Sequence, residues 1–271
     1  MPTDAEWEVV FLSVRVAALA VGASLVPGIL CGWVLARWQH PLRALLHGLV
    51  MLPLVLPPVV TGYLLLFALG RSRPLGRAWH ALTGGYIAYT TTACVIAAAV
   101  VGFPLLVEAI RLAMLAVDRR LEQVSRSLGR GPLDTFARVT LPLALPGIVA
   151  GAVLSYARAL GEFGATIVLA GNVAGETRTI PVAVYTLLNV RDGETAVLRL
   201  TAVSVALAFT ALLGSFWLQG GRRSRPTRSE PQASEGGPPH GQGGRRSRPT
   251  RSEPQASEGG PPHGRARQRR L

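Results

Sequence analysis

Arg158 and Glu162 stand four residues apart, at the end of a run from Val139 to Ala157 that carries no charge. An i, i+4 spacing puts both on one helix face. Ionisable groups at the margin of a membrane-length segment are costly, which makes them functional candidates by default. Two roles suit the pair: lining a path or gate for a charged solute, or locking a helix end as a local ion pair. Arg before Glu is the weaker order for a helical pair, and both readings stay open. Gly161, Phe163 and Gly164 belong to the same stretch, ARALGEFG. Acid–base catalysis would have to draw on Glu108, Glu162 or His47, which are scattered and form no pair with useful spacing. The sequence has no G-x-x-x-x-G-K-[ST] loop to cradle a nucleotide phosphate. It shows no His/Cys/carboxylate cluster at metal-ligand spacing, so no catalytic residue, metal or cofactor is expected. Cys31 and Cys94 lie in apolar runs and read as free core thiols.

These residues need long apolar elements to hold them, and the composition supplies them. The 271 residues are 49% hydrophobic and 16% charged, too apolar for an ordinary soluble domain. Val16–Ala36, Ala44–Gly70, Ala81–Val107, Val139–Ala157 and Leu200–Gly221 are each long enough to cross about 30 Å of hydrocarbon. Phe163–Gly175 and Thr179–Val190 are too short to span alone and have Gly171-Asn172 and Gly175-Glu176 as turn signals between them. They predict a re-entrant hairpin with its polar turn facing outward, or one irregular sixth span. The fold class is therefore an all-α polytopic membrane protein with five full spans plus a re-entrant segment, or six spans. The second span holds LPLVLPPVVTGYLLL, in which Pro53, Pro57 and Pro58 remove backbone donors. In a membrane the freed carbonyls need a neighbour or a water-lined cavity. Pro57 and Pro58 thus mark either a broken helix beside a path or a packing kink. The acidic start, Met1–Glu8, is unlike a positively charged signal region and predicts that the first span is retained.

One polar element interrupts the spans. In Val117–Pro142, the residues Val117, Leu121, Val124 and Leu128 form a helical stripe, with Arg119, Arg120, Glu122 and Arg126 off it. Gly129 and Gly131 can stop that helix, and Pro132 can open a second one carrying Leu133, Phe136 and Val139. An amphipathic helix–turn–helix between membrane-length runs needs something outside the lipid to bind.

All 28 basic residues are Arg, and the net charge is +13. Twelve Arg and four Glu fall from Gly220 onward, against sixteen Arg and eleven acids before it. The high pI thus reflects the tail and the loops, and no nucleic-acid partner is needed to explain it. Gly220–Gly241 repeats as Gly243–Gly264. This Arg/Gly/Pro/Ser-rich tail, 219–271, has too few large apolar side chains to bury a core and is expected to be disordered, following a membrane domain over 9–218. Its arginines could touch anionic membrane lipid.

The polar element resembles the cytoplasmic loop of bacterial ABC importer permeases: E-A-A, three residues, Gly, nine residues, I-x-L-P. Here Gln123, Val124 and Ser125 stand at E-A-A with Glu122 next to them, followed by Gly129 and then Val139, Leu141 and Pro142. ARALGEFGATIVLAGN at 157–172, together with Thr179-Ile180-Pro181, Tyr185, LPLVLPPVVTGYLLL and RVTLPLALPGIVAGAVL, resembles the molybdate and sulfate branch of that family. The resemblance runs from about Val16 to Trp217. It implies an ABC importer permease fold in which the loop docks on ABC ATPase subunits, so that ATP hydrolysis belongs to another chain. It further implies a second copy of the chain, a periplasmic or extracellular oxyanion-binding protein, and a bacterial inner (cytoplasmic) membrane. The expected substrate is molybdate, with tungstate and sulfate or thiosulfate as alternatives. With the loop inside, three preceding spans put the N-terminus outside, and Arg71, Arg73 and Arg77 then lie outside, against the positive-inside trend. A secondary transporter is the reading from another class, but no second copy of the Pro53–Pro58 pattern supports it.

Overall fold

The computed structural model describes residues 3–191 and 193–220, and all regular elements among them are helical. Helix α1 runs over Asp4–Arg37, capped by Thr3, whose hydroxyl accepts from Glu6 N–H while the Glu6 carboxylate accepts from Thr3 N–H. Helices α2 (Leu42–Val55) and α3 (Pro58–Leu69) follow, then α4 (Pro74–Thr83) and α5 (Thr91–Leu115). The polar element forms α6 (Arg119–Ser127) and α7 (Pro132–Thr135). A π-helical turn, Phe136–Thr140, leads without a break into α8 (Leu141–Leu160). Short helices α9 (Gly164–Leu169) and α10 (Ile180–Leu187) precede α11 (Glu194–Gly220).

Helices α1, α5 and α8 form the centre. They approach closely because the facing residues are small. A β-carbon on Gly28 would meet Leu106 at 2.9 Å, one on Gly32 would meet Ile110 at 2.6 Å, and one on Gly151 would meet Ala109 at 2.8 Å. Small-residue faces of this kind let helix backbones pack by dispersion in lipid, where apolar burial alone gives no drive. The Ser155 hydroxyl adds a 3.1 Å bond to the Gly102 carbonyl. One core cluster joins Val16, Ala17 and Ala20 to Cys94, Ala97 and Val101; a second joins Ala36, Ile110 and Met114 to Ile148.

The contacts order the molecule into two ends. At the loop end, Arg37 at the close of α1 bonds Glu122 of α6 at 2.7 Å. At the far end, Arg199 near the start of α11 holds Glu6 at 2.7 Å, and Thr91 at the start of α5 donates to the Glu176 carbonyl. Helices α1 and α5 therefore both run from the far end to the loop end, and α8 returns. The segment α2–α4 must carry the chain back to the far end between them. Among the described residues, four helices are long and apolar enough to cross a membrane, and the α2–α3 pair is a fifth candidate bent by 113°.

Three sequence expectations need correction. The third crossing begins at Thr91 rather than Ala81 and runs on to Leu115, so Glu108 and Arg111 lie inside it. Residues 81–83 instead close α4, which Gly84 ends in a left-handed conformation (φ 73°). The first helix starts twelve residues before the expected Val16, because the capping box extends it through the acidic turn. The second helix of the polar element is not separate from the next span: the π turn makes it the first part of α8. The tail expected at 219–271 lies outside the described residues except for its first two positions, which still belong to α11.

The far-end arginines find aromatic partners. Arg71 lies 4.2 Å from the Tyr86 ring centre and Arg73 lies 3.8 Å from that of Phe67. Cation–π contacts of this kind satisfy part of each charge locally.

Candidate functional site

The α2–α3 break follows from its prolines. Leu56 N–H still reaches the Leu52 carbonyl. The next two donors are missing because Pro57 and Pro58 have no N–H, so the Pro53 and Leu54 carbonyls lose their helical partners. Helix α3 restarts with Pro58 at its first turn, a position that needs no donor.

Helix α9 packs against this break. A β-carbon on Gly164 would lie 2.7 Å from Pro58 Cβ, and one on Gly62 would lie 2.8 Å from the Ala165 backbone. Pro57–Pro58 and the GEFG segment, more than one hundred residues apart in the chain, thus form one junction. Within it, Arg158 Nη1 reaches Glu162 Oε2 at 2.8 Å, and Glu162 Oε1 accepts from the Ala165 N–H at 2.8 Å. Glu162 is 2% exposed, whereas the Arg158 side chain is 29% exposed. The carboxylate is therefore fully engaged as a lock and a cap, and the guanidinium keeps an open side. Phe163 packs on Tyr185 with ring centres 5.1 Å apart. Gly161 is exposed at the end of α8.

Sequence reasoning passed over Thr61. Its hydroxyl is buried beside this junction with no hydrogen-bond partner among the described residues. The available signal was a threonine, one of only two hydroxyl-bearing side chains within LPLVLPPVVTGYLLL. It also treated His47 and Glu108 as unrelated, yet they lie 3.1 Å apart, with Arg111 on the same carboxylate. Glu162 does not join them. The α9–α10 hairpin turn is exposed at the far end and is held by Arg178 on Asn172 at 2.7 Å and by Asn172 on Thr186 at 2.9 Å.

The polar element has two faces. On one, Glu122 Oε1 accepts from Arg37 at 2.7 Å and from the Thr140 hydroxyl at 2.6 Å, while Ser125 meets Thr135 at 3.2 Å. This face ties α6 to α1 and to the start of α8. The Asp118 carboxylate caps α6 by accepting from Arg120 N–H. On the other face, Leu121, Val124 and Leu128 are 49%, 58% and 77% exposed. Val117 alone of the expected stripe is buried. Gln123 is exposed, and Glu122 rather than Gln123 supplies the carboxylate that holds the loop. Gly129 ends α6 with φ 84°, a left-handed conformation that a β-carbon strains. Val139 is half-buried in the π turn, and Leu141 and Pro142 open α8.

Crossing helices, a bent proline pair and a tethered polar loop with an exposed apolar face describe a polytopic membrane protein. Residues 28–220 match the family described as "Binding-protein-dependent transport system inner membrane component", and the chain belongs to that family. It is 50% identical over 226 residues to the molybdenum transport system permease protein ModB of Escherichia coli K12, covering 83% of this chain and 99% of that protein. The ModB of Mycobacterium tuberculosis is 42% identical over 212 residues, covering 78% and 79%. A probable sulfate transport system permease protein, cysT of Nephroselmis olivacea, is 32% identical over 217 residues, covering 80% and 75%. Among solved structures, a chain of the MetNI methionine ABC transporter superposes with TM-score 0.63 at 18% identity, covering 82% of this chain and all of that one. That likeness is one of fold.

Proposed function

We propose that this chain is the membrane-spanning subunit of an ATP-driven, binding-protein-dependent importer of molybdate in a bacterial inner membrane. The observation that carries the substrate is the 50% identity to a molybdenum permease over 99% of its length. Two copies would form one path, with the α6–α7 loops in the cytoplasm and an oxyanion-binding protein at the far end.

ATP hydrolysis would reside on separate ATPase subunits docked on the loop. The exposed Leu121, Val124 and Leu128 supply an apolar contact of the kind that partners cover, and the opposite face is bonded to α1 and α8. ATPase closure would thus shift α6 and the start of α8 together. The junction of Pro57, Pro58 and Gly161–Gly164 would border the path. Conduction needs weak sites, because an ion must leave as readily as it enters. Arg158, largely neutralised by Glu162, meets that requirement: it can attract a dianion without trapping it.

The test is uptake of labelled molybdate into proteoliposomes holding the chain, its ATPase and its binding protein. ATP-dependent uptake that survives excess sulfate and yields to tungstate is expected. Uptake abolished by sulfate would move the assignment to the sulfate branch, which the cysT likeness makes the second reading. No ATP-dependent uptake of any oxyanion by the assembled complex would reject the substrate class.

A further inference from the structure

The loop end carries a second kind of site, independent of the transported solute. Between α1 and α6 lies a cavity of about 240 Å³ whose charged lining is Arg37, Arg119 and Arg126 against the single carboxylate of Glu122. That carboxylate is already taken by Arg37 and Thr140 through one oxygen. Arg37 spends Nη2 on it and leaves Nε buried without a hydrogen-bond partner. Arg119 and Arg126 have no carboxylate within ion-pair distance among the described residues. They stand seven residues apart, two turns of one helix, on the face turned away from the exposed apolar stripe.

Directly beside this cavity is an apolar groove of about 360 Å³ along the last turn of α1, lined by Trp33, Val34, Arg37 and Trp38. Trp33 and Arg37 line both. A positive cavity sharing Trp33 and Arg37 with an apolar groove, where a crossing helix ends between two tryptophans, has the form of an amphiphile. Trp at a span end marks headgroup level, basic pockets on the cytoplasmic side suit anionic headgroups, and the guanidinium fork matches phosphate oxygens.

We propose that the cavity and groove together hold one anionic phospholipid. Its phosphate sits among Arg37, Arg119 and Arg126, and its glycerol and upper acyl carbons lie along Trp33, Val34 and Trp38. The lipid bridges α1 to α6 and so helps set how firmly the loop is tied to the membrane core. This reading does not depend on the substrate proposed above.

Native mass spectrometry of the full-length chain, delipidated and titrated with phosphatidylglycerol or phosphatidylcholine, tests it. Preferential retention of one phosphatidylglycerol per chain is expected. Arg119→Gln with Arg126→Gln should weaken it about thirtyfold, from the usual worth of two arginines near an anionic surface. Arg119→Lys with Arg126→Lys should keep most of it, which separates lost charge from lost folding. Arg71→Gln with Arg77→Gln, at the far end, should leave it unchanged. Equal retention of phosphatidylcholine, or unaltered phosphatidylglycerol binding by the Gln pair, would overturn the proposal. So would inorganic phosphate stabilising the chain through Arg119 and Arg126 while the Gln pair keeps its phosphatidylglycerol, since the cavity would then take a free oxyanion.

Discussion

Gly129 is the residue at which the proposed coupling role can be tested most directly. Its φ of 84° lies in the left-handed region, and nothing stands within 4 Å of where a β-carbon would go. Gly129→Val therefore meets no clash but a backbone penalty of about 1–2 kcal/mol, and a Gly-ended helix would re-form its last turn elsewhere. The expected result is normal membrane insertion with ATP hydrolysis no longer matched to molybdate uptake, read as the ratio of the two rates in proteoliposomes. An unchanged ratio would count against docking through this loop. The Gly was legible in the sequence because a helical stripe stopped there. The roles of its neighbours were only half legible. Glu122 looked like a bystander to Gln123, because nothing local announces a partner 85 residues away in Arg37. Val124 and Leu128 read as one face of an amphipathic element that needs a partner outside the lipid, and that face stays uncovered within one chain.

At the scale of elements, periodicity and length exposed the crossings and prolines exposed the break. What they could not expose was which elements meet. The meeting of α3 with α9 rests on two glycines, Gly62 and Gly164, whose missing side chains admit Ala165 and Pro58. Glycine in a sequence marks such approaches only by omission. Gly164→Val should force this junction apart, with loss of thermal stability of about 1–3 kcal/mol for overpacking and a sharp fall in uptake. Gly48→Ala on α2, where nothing lies within 4 Å, should be tolerated in both assays. Equal behaviour of the two variants would show that the close contact is unimportant. The start of α5 was misread for a related reason. The run 81–107 has no charge, and only the left-handed Gly84 and Tyr89 (φ 64°) divide it into α4, a connection and α5.

For the whole molecule, ion pairs mark the two opposite ends, Arg37 with Glu122 at one and Arg199 with Glu6 at the other. Single cysteines introduced at Arg73 and Arg120, in a background with Cys31 and Cys94 replaced by Ser, should react with an impermeant maleimide from opposite sides of intact cells. Labelling of both from one side would refute five crossings. Hydropathy reached this count because α2 and α3 together have the composition of one span, although they bend by 113°. The continuity of the loop with α8 has a mechanical consequence. Helix α8 covers 20 residues, about 30 Å at 1.5 Å per residue, and its base is welded to the loop through the π turn. The Gly151 and Ser155 contacts with α5 lie partway along its length and can serve as a fulcrum. Pivoting there, a tilt of about 10° would carry the far tip, where Arg158 grips Glu162, through about 2 Å of arc and the base through about 3 Å. A tug on the loop end of the rod thus reaches the other end as a smaller, opposite shift, with no helix required to melt.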